Sequence, residues 1–222
     1  MGGSSPYPGL ERVRADDVRE FMRRVVERID GVLSAREELR DKLIKLGRDI
    51  IKLSGWVINA LHRGSIEEAR KYIAEMDGIA SEYVREARRD PALWFSGLVS
   101  NALSEYVEAK MFYGIIVEGR LYSYEELGVG EIPYLQGVGD VLGELRRLAL
   151  DMLRVGRVGD AERLLDIMEA IYYELRALEY PDALMPGVRH KVDVARRLID
   201  DTKALLITVK SRITAGASVP QG

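Results

Sequence analysis

Residues Asp16–His62 read DDVREFMRRVVERIDGVLSAREELRDKLIKLGRDIIKLSGWVINALH, and one period organises them. Apolar side chains recur at Val18, Phe21, Met22, Val25, Ile29, Val32 and Leu33. The stripe continues through Leu39, Leu43, Leu46, Ile50, Leu53, Val57 and Leu61. Steps of three and four residues place these side chains on one face of an α-helix. The stretch is longer than an ordinary globular helix. Gly31 and Gly47 permit a bend in it without forcing a break.

The same period runs outward from this stretch. Arg63-Gly64-Ser65 ends it, and Ser65 with Glu68 reads as a capping box for a second helix, Ile66 to about Arg89. Pro91, behind Asp90, opens a third helix that reaches about Glu118 and stops at Gly119. Ser123–Leu127 reads as a short helix with a serine cap and a downstream glutamate. Pro133 opens the next, from about Tyr134 to Val155. Two more helices follow, Asp160–Leu178 and Val188–Arg212, separated by the loop Pro181–Gly187. Neither a strand-like alternation nor an internal repeat is visible. The expected fold is all-α, a single-domain bundle of about seven helices over residues 15–213. Flexible tails are expected at 1–14 and 214–222.

Composition narrows the function. Of 222 residues, 47% are hydrophobic, enough for a substantial core. A net charge of −3, from 33 basic and 36 acidic residues, excludes a globally basic nucleic-acid binder but leaves room for a local basic patch. There is no cysteine, hence no disulfide framework and no thiolate chemistry. His62 and His190 are the only histidines, which argues against a His-rich zinc site. No apolar run reaches the ~20 residues of a membrane span, and no signal peptide is recognisable, so a cytoplasmic protein is expected. Scarce amides (Asn59, Asn101, Gln136, Gln221) and abundant charge fit a thermophilic source.

The chemistry-bearing residues are four acids in apolar segments. Glu105 and Glu108 lie at i, i+3 in the third helix, Glu105 within the stripe Leu98, Ala102, Ala109, Phe112 and Ile116. Asp140 and Glu144 lie at i, i+4 beside the core set Val138, Val141, Leu142 and Leu145. Carboxylates are costly to bury without a cation or a donor, and pairs at this spacing can converge on one ion. Gly137, Gly139 and Gly143 flank the second pair. Three helical glycines cost about 1 kcal/mol each relative to alanine, a cost that close approach of a helix or a substrate backbone would explain. Oxygen-only ligands favour Mg²⁺ or Mn²⁺, ions that serve phosphoryl chemistry. The alternative is a solvated surface on which the acids pair with Arg146, Arg147 or Lys110. A di-iron site ranks below both, because no histidine stands at the Glu-x-x-His spacing such bundles use.

At these residues the chain resembles the translin superfamily, in particular its Trax branch. Lys45-Leu46-Gly47-Arg48-Asp49-Ile50 is similar to a Lys-Leu-Ser-Arg-Asp-Ile block, and Leu61-His62-Arg63 follows at similar spacing. Leu103-Ser104-Glu105-Tyr106-Val107-Glu108-Ala109 is similar to Leu-Gln-Glu-Tyr-Val-Glu-Ala, and Tyr134–Leu145 to Tyr-Leu-Leu-Gly-Val-Ala-Asp-Leu-Thr-Gly-Glu-Leu. The pattern covers about Val18 to Arg212. The resemblance implies seven helices, assembly into an octameric shell, and a Mg²⁺-dependent endoribonuclease that cuts single-stranded RNA. It implies catalytic and metal-binding roles for Glu105, Glu108 and Asp140, with Glu144 beside them. Translin subunits lack the first two acids, so their presence points to the nuclease branch. Archaeal relatives assemble from one gene, which implies a homo-oligomer. Two departures stand out: Gly128–Pro133 is short where eukaryotic Trax has an insertion, and Arg85-Glu86-Ala87-Arg88-Arg89 lacks the histidines of translin's basic segment.

Arg85, Arg88 and Arg89 share a helical spacing and are candidate phosphate contacts, against a solvated helix end as the plain alternative. Arg23, Arg24 and Arg28 form a second basic strip, read as surface. Arg48 is read as a phosphate anchor or the partner of a site carboxylate. Trp56 and Trp94 are expected in core or interface, His62 and His190 as structural or surface residues. Tyr106 lies on another helix face than Glu105 and receives no chemistry. The expected function is metal-dependent endonucleolytic cleavage of single-stranded RNA, with single-stranded DNA as a second ligand and stiff duplex RNA as a poor substrate. A non-catalytic single-strand-binding scaffold like translin is the alternative from another class.

Overall fold

The computed structural model describes residues 7, 9 and 12–217, with side chains to 213. The expected tails fall largely outside these residues. Among the described residues there is no strand, and the order is α1 (Ala15–His62), α2 (Ile66–Ala87), α3 (Pro91–Trp94), α4 (Gly97–Tyr113), a π-helical turn (Gly114–Glu118), α5 (Tyr124–Leu127), α6 (Glu131–Arg154), α7 (Val158–Arg176) and α8 (Val188–Ala217). The all-α reading holds. None of these helices is long and apolar enough to cross a membrane.

Contacts divide the chain into two compact units, Met1–Lys42 and Leu43–Gly222. The first contains the leading part of α1, where Val18, Phe21, Met22, Ile29, Val32 and Leu33 of the stripe are exposed, as is Val26 beside it, while Val25 is half-buried. A single helix cannot cover its own apolar face, so the sequence period forms the helix here without burying it. In the second unit the stripe continues inward through Leu43, Ile50, Leu53, Val57, Ile58 and Leu61, all buried. Gly47 lies within contact distance of Ala102 and Tyr83. α4 is buried nearly all round, through Val99, Ala102, Leu103, Val107, Ala109 and Phe112, as a mostly apolar helix must be. α6 packs on α4, α7 and α8, and α7 packs on α8.

Several boundaries differ from the sequence reading, each for a local reason. The third helix is two. Asp90 caps α3 by accepting from the Ala92 and Leu93 amides, and Ser96 then opens α4, its Oγ donating to Leu93 O at 2.6 Å and accepting from the Val99 amide. The capping box at Ser65 does not form: Ser65 makes no side-chain cap, and Glu68 instead accepts from Arg63 at 2.7 Å. The box at Ser123 does form, with Glu126 completing it. Pro133 does not open α6. Gly130 caps it and the helix starts at Glu131, leaving the proline in the first turn, where its missing N–H costs nothing. α8 runs on to Ala217, past the expected Arg212.

Candidate functional site

α4 and α6 approach closely because Gly137 has no side chain. A Cβ there would stand 2.4 Å from Ser104 O and 2.6 Å from Val107 Cβ. The contact falls one residue before Glu105 and one before Glu108, so the glycine brings the two acid-bearing helix faces together. Gly139 does the same for α8: a Cβ would lie 2.9 Å from Lys191 Cβ. Gly143 faces open space, with nothing within 4 Å of its missing Cβ. Helix packing therefore accounts for two of the three glycines and leaves the third on an open side next to Glu144. From α1, Ser54 Oγ donates to Glu105 O at 3.0 Å and ties a third element to the site.

All four acids are half-buried, and they share one electrostatic neighbourhood. Burial, then the charges of Asp140, Glu105 and Glu144, push the Glu108 carboxyl up to about 8. Burial, then Asp140, also raise Glu105. Lys191 opposes both shifts without cancelling them. Glu144 moves the other way: the hydrogen bond from His62 holds it below the usual carboxylate range against the effect of burial, with help from Arg147 at 3.6 Å.

Two cationic or donor side chains thus stand among the acids. Lys191 Nζ donates to both carboxylate oxygens of Asp140, at 2.6 Å to Oδ2. His62 Nε2 lies 2.6 Å from Glu144 Oε2, with the imidazole 5% exposed and its ring tilted against Phe112. Among the described residues, His62 Nδ1 is buried without a hydrogen-bond partner. A carboxylate accepts, so the contact assigns the ring proton to Nε2. Sequence reasoning left His62 and Lys191 out of the site. The Leu61-His62-Arg63 block was the signal that could have found the histidine, and nothing local marks Lys191. The surface alternative is corrected in part: Arg147 does pair with Glu144, but Lys110 belongs to Asp77, at 2.9 Å, beside the Tyr106 hydroxyl on the same carboxylate.

Among the described residues, no three His, Cys, Asp or Glu side chains are grouped as a ligand set for a metal ion. In kind, the oxygen donors and their incompletely neutralised charge suit a hard divalent cation. In position, Asp140 is engaged by Lys191 and Glu144 by His62.

The Translin family pattern matches residues 38–202. The chain belongs to the Translin family. All four acids, His62 and Lys191 fall within the matched span. Among relatives of this Translin-family chain, an uncharacterized protein of Methanocaldococcus jannaschii is 25% identical over 79% of this chain and 78% of its own length. The mouse translin-associated protein X is 24% identical over 63% of this chain, and the match spans 62% of that protein. Among solved structures, AfC3PO in complex with duplex RNA is similar, with 34% identity, a TM-score of 0.78, and coverage of 84% of this chain and 97% of that one. Apo-NeC3PO is similar over 94% of this chain and 100% of that one, with 26% identity and a TM-score of 0.72.

The candidate phosphate contacts are less free than their spacing suggests. Arg89 pairs with Glu86 at 2.7 Å, and Arg85 approaches the same carboxylate at 3.9 Å. Arg88 donates to Gly128 O at 3.0 Å and lies over the Trp94 ring, so it ties the end of α2 to the α5–α6 loop. Arg48 is exposed on α1 and, among the described residues, pairs with none of the four acids. Trp56 is 41% exposed, against Tyr72 and under Lys52, rather than in the core.

Proposed function

We propose that this Translin-family chain binds nucleic acid and acts as a Mg²⁺-dependent endoribonuclease on single-stranded RNA, with Mn²⁺ as a substitute ion and single-stranded DNA as a second ligand. What supports the reading is the close approach of α4 and α6 at Gly137, which sets Glu105 and Glu108 in one electrostatic neighbourhood with Asp140 and Glu144. A protein that only bound polyanions would gain nothing from four half-buried acids. Likeness to translin-associated protein X and to a C3PO solved with RNA supports the same class.

Glu105, Glu108 and Asp140 would hold the ion, with Glu144 at the edge of the set. A divalent ion held there would supply polarisation of the phosphodiester and an acidified water. The chain's own residues do the rest. Burial and its acidic neighbours hold the Glu108 carboxyl up at about 8, so it would serve as a ligand only in its deprotonated form. His62 fixes the orientation of Glu144 through Nε2–H. The open side at Gly143 gives a sugar-phosphate backbone room to approach. Arg48, Arg85 and Arg89 are exposed and remain the proposed backbone contacts, whereas Arg88 serves first as a structural tie. We propose a homo-oligomeric assembly, an octamer by family resemblance, as the state that covers the exposed stripe of α1.

The test is cleavage of labelled single-stranded RNA with Mg²⁺, beside Glu105→Ala and Asp140→Ala proteins shown by circular dichroism and gel filtration to be folded and assembled. Cleavage by the parent, abolished by EDTA and by either substitution while RNA binding persists, is the expected result. Binding without cleavage in all three overturns the nuclease reading. A duplex belongs in the same series, given the AfC3PO complex. The non-catalytic scaffold is the second reading. It is favoured by the engagement of Asp140 and Glu144 with Lys191 and His62, and it predicts salt-sensitive binding alone.

A further inference from the structure

Lys191 reaches the carboxylates from α8, a third helix, 51 residues along the chain from Asp140. Its stem lies against Gly139, where any Cβ would meet Lys191 Cβ at 2.9 Å and Cδ at 3.1 Å. A glycine is therefore required for the lysine to lie where it does. The side chain is 26% exposed, so a route to solvent remains. Among the described residues its amine bonds only Asp140.

Lys110 shows what a permanently placed lysine looks like in the same fold. Its side chain is 10% exposed, its amine shares Asp77 with the Tyr106 hydroxyl, and it packs 4.6 Å from the centre of the Tyr122 ring. These contacts, with Asp77 and Tyr122, lie outside the acid cluster. Lys191 instead puts one positive charge beside four carboxylates and, among the described residues, bonds only Asp140 of them. An ammonium on a flexible four-carbon stem can leave by changing rotamers, with α8 staying in place.

We propose that Lys191 is a stand-in cation: its ammonium holds Asp140 when no divalent ion is bound, and an ion entering between α4 and α6 displaces it. The inference rests on the metal-site reading above and deepens it. It accounts for an amine, and not a fellow acid, beside Asp140. It also gives the displaced ammonium a partner, since a phosphodiester brought to the ion would present oxygens beside it.

The experiment uses the full chain and Mg²⁺ or Mn²⁺ alone, without RNA, at one fixed pH for all proteins. Calorimetric titration compares the parent with Lys191→Met, which keeps the stem beside Gly139, and Lys191→Arg, which keeps the charge. Loss of a like charge a few ångströms from the ion predicts at least about tenfold tighter binding for Lys191→Met, with Lys191→Arg close to the parent. In EDTA, Lys191→Met is expected to melt below the parent, with added metal closing the gap. If Lys191→Met does not fold, Lys191→Gln replaces it, keeping a donor to Asp140 without the charge.

Identical titrations of parent and variant overturn the inference and leave Lys191 as a link between α6 and α8, with the metal reading intact. Absence of binding to either protein at millimolar concentration overturns both. Tighter binding by the variant, together with a parent that never cuts RNA, supports the inference and removes the nuclease.

Discussion

Glu105 and Glu108 on α4, and Asp140 and Glu144 on α6, are the same kind of group at helical spacing, packed face to face, yet they are compensated differently. Asp140 has the Lys191 ammonium, and Glu144 has His62 and Arg147. Among the described residues, the α4 acids have only what reaches them from Lys191, and both are raised. The difference lies in the neighbours. α6 packs on α8, which brings Lys191, and meets His62 from the end of α1 through Glu144, while α4 is wrapped in apolar contacts.

The largest expected effect is on cleavage. Glu105→Ala and Asp140→Ala should each lower the single-stranded RNA cleavage rate at least about a hundredfold, a loss of ~2.7 kcal/mol of transition-state stabilisation. They should differ in the metal-free protein. Asp140→Ala strips Lys191 of its partner and should lower the melting temperature, whereas Glu105→Ala removes an uncompensated charge and should not. Equal melting temperatures would erase the contrast between the pairs.

A second contrast lies within α6. Gly137→Ala drives a Cβ into Ser104 O and Val107 and should cost about 2–3 kcal/mol in denaturant unfolding. Gly143→Ala enters open space and should stabilise by up to about 1 kcal/mol. A reduced cleavage rate in a stable Gly143→Ala protein would mark that side as the substrate's approach.

Titration separates the pairs further. Glu108 has a folded pKa of about 8 against 4.5 for the free group. The folded state therefore binds more protons between these values, and stability falls as pH rises from about 4.5 to 8. Glu108→Gln should remove that slope and raise the melting temperature in EDTA by about 2–4 °C at pH 9. Glu144 is depressed, so its contribution is present above 4.5 and disappears as pH falls through its folded pKa. Glu144→Gln should lower stability at neutral pH and have little effect in acid. Melting curves from pH 4 to 9 for the two variants check both signs.

The smallest effect on unfolding is expected from the exposed stripe. Phe21→Glu and Val32→Glu should change the unfolding free energy of the chain by under about 0.5 kcal/mol. In gel filtration with light scattering they should lower the mass of any assembly. An unchanged mass would separate this part of α1 from oligomerisation.

Helix existence was legible from local information. The period in Asp16–His62, the proline behind Asp90 and the Ser123–Glu126 box act within a few residues of themselves, and they predicted α1, the α3 start and α5. The placement of Glu105 and Glu108 on one helix, and of Asp140 and Glu144 on another, followed from the same arithmetic. Where local signals competed, the sequence did not show which would win. Ser65 and Glu68 have the spacing of a box, but Arg63 takes the glutamate. Arg88 has the spacing of a phosphate contact, but Gly128 O and Trp94 hold it.

The sequence by itself determined an all-α chain, a lengthwise apolar stripe and two acidic pairs in apolar settings, because helical phase depends on residues three and four apart. Tertiary structure alone decided that His62 meets Glu144 across 82 residues, that Lys191 meets Asp140 across 51, and that Gly137 rather than Gly143 is the point of helix contact. It also decided that one stripe on one helix is buried after Leu43 and exposed before it. The physical reason is that burial, and with it the charge state of a buried acid, belongs to whatever a helix face packs against, and no period along a single helix carries that information.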